Sequence, residues 1–183
     1  MVTLEDKLKA FRGSGGQMEN LTVEFADLAK HFLYGGYFEV GRFKIFLRDI
    51  EFYYHDEQEN MKGRVTDDIM YHRNGKDKHN PYPQYFEFGS MHEHMSGIDL
   101  CFENEKLQFR ASILMRAVEV HDGDKVIIEK RPTYVPSFFL MYQSVFNSGY
   151  QIKWVDTPIE PNYVLPKPIE RKNAGRLWRY SII

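Results

Sequence analysis

The chain has 183 residues, 43% of them hydrophobic and 27% charged, values near the average of globular domains. This composition excludes an intrinsically disordered or fibrous protein, and the single cysteine, Cys101, excludes a disulfide-stabilised miniprotein. The formal net charge of −2 does not by itself indicate a nucleic-acid-binding protein. A length of this order predicts one domain, residues 1–183.

Aromatic content and the N-terminal sequence bear on core and compartment. Aromatic residues make up 15% of the chain, so we expect a core packed with rings or a pocket lined by them. Residues 1–16 lack the basic region and apolar stretch of a secretory signal, and the longest apolar run is far shorter than the ~20 residues that span a bilayer. We therefore expect a cytoplasmic protein.

Two helices are predicted near the N-terminus. Leu4, Leu8 and Phe11 have the spacing of one helical face, which predicts a short peripheral helix within residues 1–12, ended by the glycines of residues 13–16. The apolar spacing predicts a second helix over residues 22–33. We expect Thr22 to cap its start and Gly35 to end it.

Strands dominate the rest of the chain. The predicted strands are residues 37–40, 42–54, 91–94, 98–102, 107–120 and 126–130, with a turn at residues 121–124. The first two form either a hairpin around Gly41 or one bent strand. Residues 55–88 are polar and predict a long loop. A third helix is predicted over residues 136–147, and residues 157–183 form an extended C-terminal tail packed on the domain. The fold class is α+β with a curved, mostly antiparallel sheet.

Charge is unevenly distributed along the chain. Residues 1–124 carry 15 basic and 22 acidic side chains, a net charge of −7, whereas residues 125–183 carry 9 and 4, a net charge of +5. Either the solvated surface is simply uneven, or a basic C-terminal surface meets an anion.

The strand at residues 42–54 carries a candidate general base, Glu51. Because side chains alternate between the faces of a strand, Phe43, Ile45, Leu47, Asp49, Glu51 and Tyr53 are predicted to share one face. Ile50 and Phe52 flank Glu51, and a carboxylate among apolar neighbours is typical of a base that works near neutral pH. The other interpretation is an exposed acid at the end of a strand.

Arg116 lies inside the apolar run of residues 113–118. An arginine is rarely buried unless it is paired, so it either reaches solvent at an edge or binds a carboxylate. Glu51 and Asp49 are the expected partners.

His92 and His94 are two residues apart on a predicted strand and point to the same side. This is metal-ligand geometry if His72, Asp99 or Cys101 converges on them. Contacts with a ligand in a pocket are the favoured interpretation, so no metal is assigned. The chain has no P-loop, GxGxxG, GxSxG or CxxC motif, and we predict no cofactor.

Six segments in chain order resemble the alkylpurine (3-methyladenine) DNA glycosylases of the alkyladenine type. Ile50-Glu51-Phe52-Tyr53 resembles the family's TEAY strand, and residues 113–119, ILMRAVE, resemble its VLLRAxEP strand. The other four segments are residues 28–33, 68–75, 89–101 and 174–180.

This resemblance implies hydrolysis of the N-glycosidic bond of an alkylated purine in DNA. Glu51 would activate the attacking water and Arg116 would help to hold it. Four side chains would bind the base: Tyr53, His72, His92 and His94. The basic tail would contact phosphates through Arg171, Lys172, Arg176 and Arg179.

The sequence departs from the family at the step that extrudes a base. Met95-Ser96 stands where the family has an intercalating tyrosine, and Glu103 stands where it has an asparagine. The alternative is therefore an inactive or repurposed scaffold that binds nucleic acid or a small, purine-like ligand.

Overall fold

A computed structural model describes residues 2–70, 84–94, 96–132, 152–171 and 175–182. The helices there are α1 (Leu4–Ala10) and α2 (Met18–Tyr34). The strands there are β1 (Gly36–Val40), β2 (Phe43–Asp56), β3 (Met91–His94), β4 (Gly97–Cys101), β5 (Phe109–Asp122), β6 (Lys125–Pro132), β7 (Ile152–Asp156) and β8 (Arg179–Ser181). The helix predicted over residues 136–147 lies outside the described residues.

The strands form one curled antiparallel sheet, a half-barrel. Its order is β3-β4-β5-β2-β1-β7, with β6 beside β5 and β8 beside β2. The two long strands β2 and β5 pair along their whole length and form its centre. The predicted α+β class with a curved, mostly antiparallel sheet is confirmed. Among the described residues, no helix is long and apolar enough to cross a membrane.

The helices differ from prediction mainly at their starts. Thr3 and Asp6 form a capping box that begins α1. The prediction that Thr22 caps the second helix was wrong, because α2 begins one turn earlier and the Thr22 hydroxyl donates to the Met18 carbonyl at 3.3 Å. Gly35 ends α2 as predicted, and its N–H donates to the His31 carbonyl at 2.8 Å.

Two strands escaped prediction. β7 pairs with β1, and β8 pairs with β2 opposite Asp49, Ile50 and Glu51. β8 has three residues, too few to show an alternating pattern. Its pairing brings the C-terminal segment beside the strand that carries Glu51.

A double irregularity in β2 and β5 exchanges the faces of both strands. Leu47 and Ile50 are both core residues although they are three positions apart, as are their partners Val118 and Met115. The register shifts on both sides of Asp49, and such bulges redirect the side chains that follow. The predicted common face was therefore wrong, because Leu47 faces the core while Glu51 faces away from it.

Much of the aromatic excess lies in the core between α2 and the sheet. The Phe25 ring stacks on Phe52 at 4.5 Å between centroids and meets the edge of Trp178 at 5.1 Å. Phe11 packs against Phe25 at 5.8 Å. Since buried rings contribute strongly to stability, this cluster holds α2 and the C-terminal segment on one side of β2.

Candidate functional site

The face of the sheet opposite the aromatic core carries a row of polar side chains. Register places Glu51 of β2 beside Leu114 of β5, Leu114 beside Asp99 of β4, and Asp99 beside His92 of β3. Glu51 and Asp99 are both buried. Since facing residues on neighbouring strands point to the same side, two carboxylates and a histidine share this face.

Glu51 is held by two hydrogen-bond donors. Arg116 Nη1 donates to Oε2 at 2.9 Å and the Tyr53 hydroxyl donates to Oε1 at 2.7 Å. Burial, and then the charge of Glu51, raises the pKa of Tyr53 far above its usual range, so this hydroxyl stays a donor. The ion pair predicted between Arg116 and Glu51 is present, and Arg116 is its outer partner, with 32% of its side chain exposed against 5% for Glu51.

Arg171 lies beneath this pair rather than on the surface. It is 1% exposed, and its Nη atoms donate to Asp67 at 2.7 and 2.9 Å. Its guanidinium covers the Tyr53 ring at 4.4 Å. Nε is 3.7 Å from Glu51 Oε1, beyond hydrogen-bond distance. The phosphate contact predicted for Arg171 is therefore replaced by an internal ion pair in this structure.

Arg176 and Arg179 also contact the protein. Arg179 donates to both oxygens of Asp49, at 3.0 and 2.5 Å, and keeps 30% of its side chain exposed. Arg176 donates to the Thr66 carbonyl at 3.1 Å. Lys172 lies outside the described residues. These arginines attach the C-terminal segment to the strand and loop that form the site.

His92 and His94 make separate contacts. The ring of His92 lies against Phe86 at 3.6 Å between centroids, and burial lowers its pKa. Nε2 of His94 lies 3.2 Å from Asp99 Oδ1, and its Nδ1 accepts the Ser96 N–H at 3.2 Å. His72 lies outside the described residues. Within the described part of the chain, no three His, Cys, Asp or Glu side chains are grouped to hold a metal.

Sequence reasoning missed Asp67 and His55. His55 continues the polar row of β2 and accepts the Asp67 N–H on Nδ1 at 3.1 Å. The two-residue spacing from Tyr53 to His55 could have revealed it. Asp67 carried no such signal, because it lies in a loop and its partner Arg171 is 104 residues away.

Comparisons of the chain with protein-family models, with curated proteins and with solved structures found no match.

Proposed function

We propose that this protein hydrolyses the N-glycosidic bond of an alkylated purine in DNA. The observation that carries the proposal is the fixed carboxylate of Glu51, which binds Arg116 on one oxygen and Tyr53 on the other. Residues 50–53 and 113–119 resemble the glycosylase strands, and this resemblance implies that Glu51 activates the water and that Arg116 helps to hold it. DNA as a partner and a cytoplasmic location remain predictions.

Two tasks would fall to Glu51 in this reaction. Its carboxylate orients a water molecule and takes a proton from it, as a general base does. The same negative charge stabilises the positive charge that develops on the sugar as the bond to the base breaks. Arg116, which reaches solvent, would hold the water against the carboxylate, while the buried ion pair of Arg171 with Asp67 fixes the Tyr53 ring beside it.

The first test is release of a modified purine from an alkylated oligonucleotide. We expect Glu51→Gln to lower the rate by roughly 10²–10⁴-fold, since the amide keeps the shape but neither takes a proton nor carries a charge. Glu119→Gln is the matched control, because Glu119 is also paired with an arginine, Arg48, at 2.7 Å and has no role in binding the water or the base in this proposal. Equal release by the wild type and Glu51→Gln would refute the proposal.

A binding function without hydrolysis is the second candidate. Both oxygens of Glu51 already accept hydrogen bonds, and His94 faces Asp99, an arrangement that also suits a rigid binding site. We expect such a protein to be stabilised against heat by 3-methyladenine while it releases no base from DNA. The two assays together separate the candidates.

A further inference from the structure

Arginines approach the Glu51 region from both edges of β2. On one edge, Arg179 of β8 is the register partner of Glu51. On the other edge, Arg116 of β5 binds the Glu51 carboxylate at 2.9 Å. Arg179 itself binds Asp49, two residues before Glu51 on β2. The two guanidiniums are therefore held over neighbouring positions of one strand.

Each of these ion pairs has its negative end inside the protein. The side chains of Asp49 and Glu51 are each 5% exposed, whereas those of Arg179 and Arg116 are 30% and 32% exposed. Charges at the surface interact with a ligand more strongly than charges screened behind them at greater distance. The surface above β2 thus presents two cations, although each pair is neutral as a whole.

Both arginines retain donors for a ligand. Among the described residues, Arg116 uses only Nη1 in a hydrogen bond, and Arg179 uses Nε and Nη2. Guanidinium donors lie in one plane and match the oxygens of a phosphate. Because the carboxylates already fix both side chains, ligand binding orders fewer rotamers.

We propose that Arg116 and Arg179 form a phosphate-binding clamp. Its ligand is a phosphate oxyanion, supplied either by a phosphodiester of a nucleic acid or by the terminal phosphate of a free nucleotide. This proposal goes beyond hydrolysis, because the two arginines would bind a phosphate whether or not the protein releases a base.

The test measures binding of two probes, a short undamaged oligothymidylate and deoxyadenosine 5′-monophosphate. We expect Arg179→Gln to weaken binding roughly tenfold or more, as the loss of a charge-assisted contact should. Since this change leaves Asp49 buried without its partner, the double variant Asp49→Asn/Arg179→Gln repeats the test with a neutral pair. Arg48→Gln is the control, because Arg48 also pairs with a carboxylate but binds Glu119.

Each outcome has one meaning. Binding of the oligonucleotide alone, lost in both Arg179 variants, supports a phosphodiester ligand, and binding of the mononucleotide alone supports a free nucleotide. Absence of binding to either probe by the wild type, or an equal loss in Arg48→Gln, overturns the clamp. Base release is measured separately, so failure of the proposed hydrolysis would leave this result intact.

Discussion

Glu103 shows how a single buried residue sets a response to pH. Its carboxylate accepts the Phe86 N–H at 2.8 Å and lies 3.4 Å from Arg110 Nη1. Both contacts favour the charged form, yet burial outweighs them and raises the pKa of Glu103 to about 8. Near neutral pH the folded protein therefore favours the protonated acid, whereas a glutamate in water, with a pKa of about 4.3, is ionised.

This residue makes stability fall as pH rises. Below the unfolded pKa both states are protonated, whereas between about 4 and 8 only the unfolded state releases its proton, which favours unfolding. We expect Glu103→Gln to remove this dependence of stability on pH. At pH 9 its free energy of unfolding should be roughly 2–5 kcal/mol higher than that of the wild type. Urea unfolding from pH 5 to 9 measures it, with the exposed Glu105→Gln as control. Parallel curves for the wild type and Glu103→Gln would contradict the prediction.

At the residue scale, pairs were predictable only where the local sequence demanded a partner. The apolar run around Arg116 indicated a carboxylate partner, and Glu51 was predicted as a base because the apolar residues Ile50 and Phe52 flank it. Nothing local distinguished Arg171 from a surface arginine, since its burial depends on Asp67 in a distant loop.

Among the connecting segments, the loop after β2 lies in close contact with the N-terminal loop through two glycines, Gly63 and Gly16. Gly63 has a φ of +74°, and a Cβ there would lie 2.2 Å from the Gly16 carbonyl oxygen. The backbone of residues 13–16 therefore passes directly over the loop that leads to Asp67. This close approach helps to set where the Asp67 carboxylate meets Arg171.

A side chain at Gly63 should be more harmful than one at an open turn. Gly123 also has a positive φ, +60°, but a Cβ there meets nothing within 4 Å. We expect Gly123→Ala to cost about 1–2 kcal/mol from backbone strain alone, and Gly63→Ala to cost at least twice as much because the loop must move. Thermal unfolding of both variants gives the comparison, and equal losses would show that the contact does not matter.

Elements were predictable in proportion to the length of their periodic pattern. β2, β5 and the turn between β5 and β6 followed from alternation and Gly123. β8 could not be predicted in this way, because its three residues are too few to show a period. The bulge could not be predicted either, because it interrupts the alternation from which the common face of β2 was predicted.

Across the whole molecule, the charge asymmetry of the sequence is partly neutralised inside the protein. The acidic first part of the chain and the basic last part meet in the pairs of Asp67 with Arg171 and Asp49 with Arg179. Part of the positive charge expected to face an anion thus holds the C-terminal segment in place. Arg179 serves both purposes, since it binds Asp49 and remains partly exposed.

The Asp67 pair should dominate this attachment. Asp67→Asn leaves the buried guanidinium of Arg171 without a counter-charge, which we expect to cost about 3–5 kcal/mol. Asp27→Asn, which removes an exposed pair with Lys7, should cost about 0–1 kcal/mol. Urea unfolding at neutral pH compares them. A loss for Asp67→Asn as small as that for Asp27→Asn would mean that the pair of Asp67 with Arg171 does not hold the C-terminal segment in place.

The double irregularity in β2 and β5 limits where insertions and deletions can occur in these two strands during evolution. Each strand has one extra residue at this point, Arg48 in β2 and Arg116 in β5, and neither appears in the register of paired residues. Deletion of the extra residue would return its strand to plain alternation with the apolar side chains still facing the core, whereas a deletion farther along the strand would turn every residue beyond it to the other face. These strands can therefore change length at the bulge without exchanging their faces, but not beyond it.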